Sequence, residues 1–96
     1  MDIATKVFKA VANEKRIKIL KLLLKENDEM SVESIAKSLK IGYKTASQHL
    51  QKLANVGLVK KRRKGLHAFY SINYEDSKIF NSAILDVLKD FYFLKK

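Results

Sequence analysis

Between Leu39 and Tyr43 the chain has three residues in which to end one helix and start another. Upstream, Val32, Ile35, Ala36 and Leu39 recur at i, i+3, i+4 and i+7, the spacing of one face of an α-helix. Downstream, Ala46, Leu50 and Leu53 mark a second apolar stripe within a helix expected over 43–56. Lys40-Ile41-Gly42 is too short for anything but a tight turn. Ser31 reads as the N-cap of the first helix, and Glu33 suits the positive end of its dipole. Gly57 fits the left-handed position that follows the second.

The flanking segments extend this frame. Ile3, Val7, Ala10 and Val11 recur at helical spacing, so a helix is expected over 3–12. Asn13 reads as the N-cap of a longer helix starting at Glu14, with Ile17, Leu20 and Leu24 on one face and Ile19, Leu22 and Leu23 widening it. Glu26-Asn27-Asp28-Glu29 reads as a loop. After Gly57 the pattern changes. Val59, Phe69, Tyr70 and Ile72 are β-formers, and Lys64-Gly65 divides two segments that can each extend. That predicts a hairpin over 58–72, with Gly65 supplying the positive φ of its turn. Asn73 and Asp76 have the spacing of a capping box for a last helix over 75–94. The expected order is α-α-α-α-β-β-α. A helix-turn-helix over 31–56 followed by a wing over 58–72 makes a mainly α (α+β) winged helix-turn-helix, in one domain over 1–96.

Charge points to a polyanionic partner. Lysine and arginine outnumber aspartate and glutamate 20 to 10, a formal net charge of +10 on 96 residues. Such a field attracts nucleic acid or an anionic membrane surface. Five of the cations, Lys60, Lys61, Arg62, Arg63 and Lys64, are consecutive in the wing. A strand alternates faces, so they charge both sides of the hairpin and suit phosphates or the adjacent minor groove. In the helix over 43–56, Tyr43, Lys44, Ser47, Gln48, Gln51 and Asn55 lie away from the apolar stripe. These are hydrogen-bonding side chains, and a helix of this width fits the major groove. Gln48 suits a bidentate pair with adenine, and Lys44 suits guanine or a phosphate. Thr45 and Ser47 suit phosphate contacts near the helix N-terminus, and His49 suits packing or a phosphate bond at the helix base.

Other chemistries find no support. The sequence contains no cysteine, which removes disulfides, thiolate metal sites and thiol redox sensing. His49 and His67 have no second histidine or cysteine at ligand spacing. Ser47 and His49 are two apart on a helix and point in different directions, so they form no nucleophile–base pair. No glycine-rich phosphate loop or catalytic carboxylate pair appears, so neither an enzyme nor a cofactor is expected. Met1-Asp2-Ile3 opens neither a basic run nor an apolar block, and no apolar stretch approaches the roughly 20 residues of a membrane span. The expectation is a cytoplasmic protein with no membrane partner.

The residues 8–20, Phe8-Lys9-Ala10-Val11-Ala12-Asn13-Glu14-Lys15-Arg16-Ile17-Lys18-Ile19-Leu20, are similar to the opening of the arsenical-resistance repressor (ArsR) family. Thr45-Ala46-Ser47-Gln48-His49-Leu50 resembles that family's recognition-helix motif. Gly57-Leu58-Val59, Arg63-Lys64-Gly65 and Phe69-Tyr70-Ser71-Ile72 resemble its wing. The resemblance covers the chain from Val7 to about Asn73. It implies a dimeric regulator of double-stranded DNA, commonly a repressor that releases its operator on binding an inducer. By position, Lys44, Thr45, Ser47, Gln48 and His49 fall on the recognition pattern, and Arg62, Arg63 and Lys64 on the wing. Two departures stand out. Ser31 and Glu33 occupy the places where many members carry a metal-binding cysteine pair. The last helix has Asp86 and Asp90 but none of the histidines that other members use as ligands. No metal site is carried over, and the sequence identifies no inducer.

Ile79, Phe80, Ala83, Ile84, Val87, Leu88 and Phe91 form a stripe wider than one packing face needs. A two-fold interface between the first and last helices, through Ile3, Val7, Ile84, Val87, Leu88 and Phe91, would cover it. A homodimer is therefore expected, on a pseudo-palindromic site with recognition helices about 34 Å apart. Two other readings compete with a sequence-specific regulator: a non-specific architectural DNA-binding protein and a winged-helix protein-interaction module.

Overall fold

The computed structural model describes the backbone of residues 3–74 and the side chains from Thr5 onward. The last-helix expectation over 75–94, including Ile84, Val87, Leu88, Phe91, Asp86 and Asp90, lies outside the described residues, as does the side chain of Ile3. Seven elements follow in order: α1 (Ile3–Val11), α2 (Glu14–Glu26), β1 (Met30–Ser31), α3 (Val32–Leu39), α4 (Tyr43–Asn55), β2 (Val59–Lys64) and β3 (His67–Ile72).

Local chemistry sets most of the boundaries. The Asn13 side chain accepts from the backbone N–H groups of Lys15 and Arg16, at 3.0 and 3.2 Å, and so satisfies two of the open donors at the start of α2. Ser31 Oγ does the same for Ser34 N–H at the start of α3, at 3.0 Å. The turn between α3 and α4 is a Schellman closure. Ile41 N–H donates to the Ala36 carbonyl and Lys40 N–H to the Lys37 carbonyl, while Lys40 takes a left-handed φ of 57°. The same closure ends α4, where Leu58 N–H reaches Leu53 O and Gly57 N–H reaches Ala54 O, with Gly57 at φ 82°. In the hairpin, Lys64 pairs with His67 across the two-residue turn Gly65-Leu66. Gly65 sits at φ 62° and Leu66 does not take a positive φ, the pattern of a type II′ turn.

The sheet has one strand more than the sequence suggested. Met30–Ser31 pairs antiparallel with β3, Met30 opposite Tyr70 and Ser31 opposite Phe69, giving the order β1-β3-β2. Two residues are too few to show the period-2 alternation that identifies a strand. Ser31 thus ends a strand and caps a helix at once.

One core joins every element. Ile19, Leu20 and Leu23 of α2 meet Val32, Ile35 and Ala36 of α3, Ala46, Leu50 and Leu53 of α4, and Val59, Tyr70 and Ile72 of the wing. Val7 belongs to it as well and is fully buried. The placement of Val7 at a subunit interface is therefore corrected: its side chain has no surface left for a partner. On α1 the outward apolar residue is Phe8, 56% exposed. Among the described residues no helix is long and apolar enough to cross a membrane.

Candidate nucleic-acid interface

The stripe Ala46, Leu50 and Leu53 seats α4 on the core, and this fixes which side chains turn outward. Lys44, Gln48, Gln51, Lys52 and Asn55 are exposed, as is Tyr43 at the first turn. Thr45, Ser47 and His49 lie on the flanks and are half-buried. The residues singled out from the sequence thus divide in two. Lys44, Gln48 and Gln51 form an open ridge, while Thr45, Ser47 and His49 border it. The thirteen residues of α4 include neither aspartate nor glutamate, so the ridge does not repel phosphate.

His49 is bonded inward. Its Nδ1 accepts from Arg16 Nε at 3.2 Å, which places the ring proton of the neutral imidazole on Nε2. The same guanidinium donates through Nη1 to the carbonyls of Lys9 at 3.5 Å and Ala10 at 3.2 Å. Arg16 therefore ties the end of α1 and the start of α2 to the flank of α4. Burial holds the His49 imidazole below its ordinary pKa of 6.5, and the positive charges of Arg16, Lys15 and Lys52 act in the same direction. The folded protein then binds fewer protons at this site than the unfolded chain. The associated stability is complete above about pH 6.5 and is lost as pH falls through the folded value. Urea unfolding is expected to show lower stability at about pH 5.5 than at about pH 7.5, with a smaller difference for His49→Gln. An identical acid loss in His49→Gln would place the effect elsewhere.

The wing presents its cations unequally. Register puts Val59, Lys61 and Arg63 on one face with Ile72, Tyr70 and Ala68, and Lys60, Arg62 and Lys64 on the other with Ser71, Phe69 and His67. The first face is the one turned toward α4. Burial raises the Tyr70 phenol above its ordinary range, the nearby Tyr43 adds to this, and Arg63 opposes it. On the second face Arg62 is engaged within the molecule. Its Nε donates to Glu29 Oε2 at 3.0 Å, and Nη2 forms a second, short hydrogen bond to Glu29 Oε1. The Arg62 hydrogen bonds hold the Glu29 carboxyl below the usual carboxylate range. The expectation of Arg62 as a phosphate ligand is corrected accordingly: a carboxylate reaching over β3 already fills its fork. Lys60, Lys61, Arg63 and Lys64 are exposed. His67 is exposed at the wing tip.

Neither Arg16 nor Glu29 stood out in the sequence as part of this surface. Each bonds a residue 33 positions away, and no periodicity or local motif signals such a pair. At the places where the resemblance has a cysteine pair, Ser31 Oγ caps α3 and Glu33 stands exposed in its first turn. Among the described residues no group of three histidine, cysteine, aspartate or glutamate side chains is placed to hold a metal ion.

Comparison with known proteins agrees with this architecture. The family described as "Bacterial regulatory protein, arsR family" matches residues 13–61. The "HTH-type transcriptional regulator Rv0324" of Mycobacterium tuberculosis is 40% identical over 91 residues, covering 94% of this chain and 38% of the relative. The "Cadmium resistance transcriptional regulatory protein CadC homolog" of Staphylococcus aureus is 40% identical over 78 residues, covering 81% of this chain and 63% of the relative. The chain thus spans less than two thirds of either relative. Among solved structures, the homodimeric winged helix-turn-helix DNA-binding domain Mb0332 of Mycobacterium bovis, a possible ArsR-family transcriptional regulator, superposes with a TM-score of 0.77. It is 35% identical and covers 95% of this chain and 79% of that one.

Proposed function

The chain belongs to the ArsR family of bacterial regulatory proteins, and from that premise we propose a homodimeric repressor that binds a pseudo-palindromic site on double-stranded DNA and occludes a promoter. The observation that carries this is the open ridge of α4. Lys44, Gln48 and Gln51 stand exposed in a helix without carboxylates, beside a wing whose Lys61 and Arg63 lie on the α4 side. In this reading Gln48 and Lys44 meet base edges in the major groove. Tyr43, Thr45, Ser47 and Gln51 border the contact, and Lys60, Lys61, Arg63 and Lys64 follow the backbone. His49 and Arg62 support the surface from behind.

The assembly joins one domain over 1–96 to its copy. The homodimeric relative supports this, and so does Phe8, which α1 turns outward where a partner can cover it.

The test titrates labelled duplex from upstream of the protein's own gene against scrambled duplex, with a random-library selection alongside. A specific regulator binds its selected site about a thousandfold or more above random DNA. Gln48→Ala is expected to cost about 1–3 kcal/mol on that site and to leave random DNA nearly unaffected. Equal losses on both would remove Gln48 from base reading. Selection that enriches no sequence would favour the architectural alternative. A promoter reporter then reads the sign of regulation.

A further inference from the structure

A groove of about 320 Å³ lies between α1, the first turn of α2 and the C-terminal half of α4. Four cations line it, Lys6, Lys9, Arg16 and Lys52, together with the amide of Asn55, and no carboxylate among the described residues does. Four positive charges gathered on one small concavity repel one another, and an anion seated among them removes that cost. Arg16 is already fixed for the task. Three hydrogen bonds hold its Nε and Nη1, while Nη2 has no hydrogen-bond partner among the described residues. A guanidinium held in this way presents donors at fixed angles, the geometry that suits phosphate, and the lysines add charge without directional demand.

Position indicates where the anion comes from. Lys52 follows Gln48 by four residues and Asn55 follows Gln51 by four, so both continue the exposed side of α4. Lys6 and Lys9 lie on the flank of α1 away from the exposed Phe8, which leaves them open when a second subunit covers Phe8. A duplex held against the α4 ridge therefore has its next phosphates beside the groove. We propose that this groove binds a phosphate group and that the group belongs to the DNA backbone flanking the bases read by α4. The proposal rests on the reading of α4 as the base-reading helix and adds α1 to the DNA-contacting surface.

The test compares wild type with Lys9→Gln/Lys52→Gln, two exposed sites, by measuring affinity for preferred and random duplexes across a salt series. A control pair, Lys18→Gln/Lys25→Gln, removes the same net charge from exposed positions of α2 outside the groove. The groove variant is expected to weaken both duplexes equally and to lower the salt slope by about 1–2, with base preference intact. The control is expected to keep the wild-type slope. An unchanged slope in the groove variant, or an equal fall in the control, overturns the proposal. Calorimetry with pyrophosphate, without DNA, forms the second arm. Pyrophosphate binding lost in the groove variant while the DNA slope stays constant overturns the backbone source and assigns the groove to a free phosphate ester. A wild-type protein that binds no duplex at all sinks the reading of α4, and the backbone source with it. In that case failure to bind pyrophosphate overturns the groove as well.

Discussion

Replacing Lys61, Arg63 and Lys64 together by glutamine is expected to lower affinity for any duplex by about 10²–10³-fold near 0.1 M salt. Each phosphate contact contributes about 0.9 to the slope of log affinity against log salt, so three lost contacts remove about 2.7 from it. If the two lines converge near 1 M salt, that difference is about 2.7 decades at 0.1 M. The three side chains are exposed and the hairpin keeps its backbone pairing, so the fold should persist. Arg62 is left out deliberately. Its removal would strand Glu29 and disturb the link between β1 and the wing, which mixes a structural effect with an electrostatic one. The check is fluorescence anisotropy across a salt series. A slope equal to wild type would show that these charges only solvate the hairpin and protect its edge.

Leu50→Ala is expected to cost about 2–5 kcal/mol of stability, a large share of the roughly 5–15 kcal/mol typical of a small domain. Leu50 is fully buried and is the middle residue of the stripe that holds α4 on the core. Truncation removes its contacts and leaves a cavity under the helix proposed to read DNA. Binding should therefore fall with stability, although Leu50 itself faces away from the ridge. Leu50→Met keeps the volume and is expected to cost less than about 1.5 kcal/mol. Urea unfolding of both variants decides the matter. A loss below about 1 kcal/mol for Leu50→Ala would mean that the helix seats by other contacts.

What the sequence made legible, and what it did not, follows from the range of each interaction. Asn13, Ser31, Gly57 and Gly65 were readable because each answers a need of its own few residues: a helix start, a helix end or a hairpin turn. The ridge on α4 was readable because three apolar residues at helical spacing define its opposite side. Val7 was misplaced because a periodic stripe in α1 identifies a face without saying what covers it. The fold uses that face for the core and turns Phe8 outward. Arg16–His49 and Glu29–Arg62 were unreadable because their partners meet only after the whole chain between them has folded. Both pairs alter the functional surface, one by fixing the flank of α4 and the other by withdrawing an arginine from the wing.

The central claim is that two copies of α4 enter successive major grooves of one site. Methylation-interference footprinting on a selected site tests it most directly. The account predicts two patches of interference at major-groove positions, related by two-fold symmetry and about 10–10.5 base pairs apart, one helical turn. Loss of discrimination in Gln48→Ala should weaken both patches alike. A single patch, or interference spread evenly along the duplex, would contradict the account.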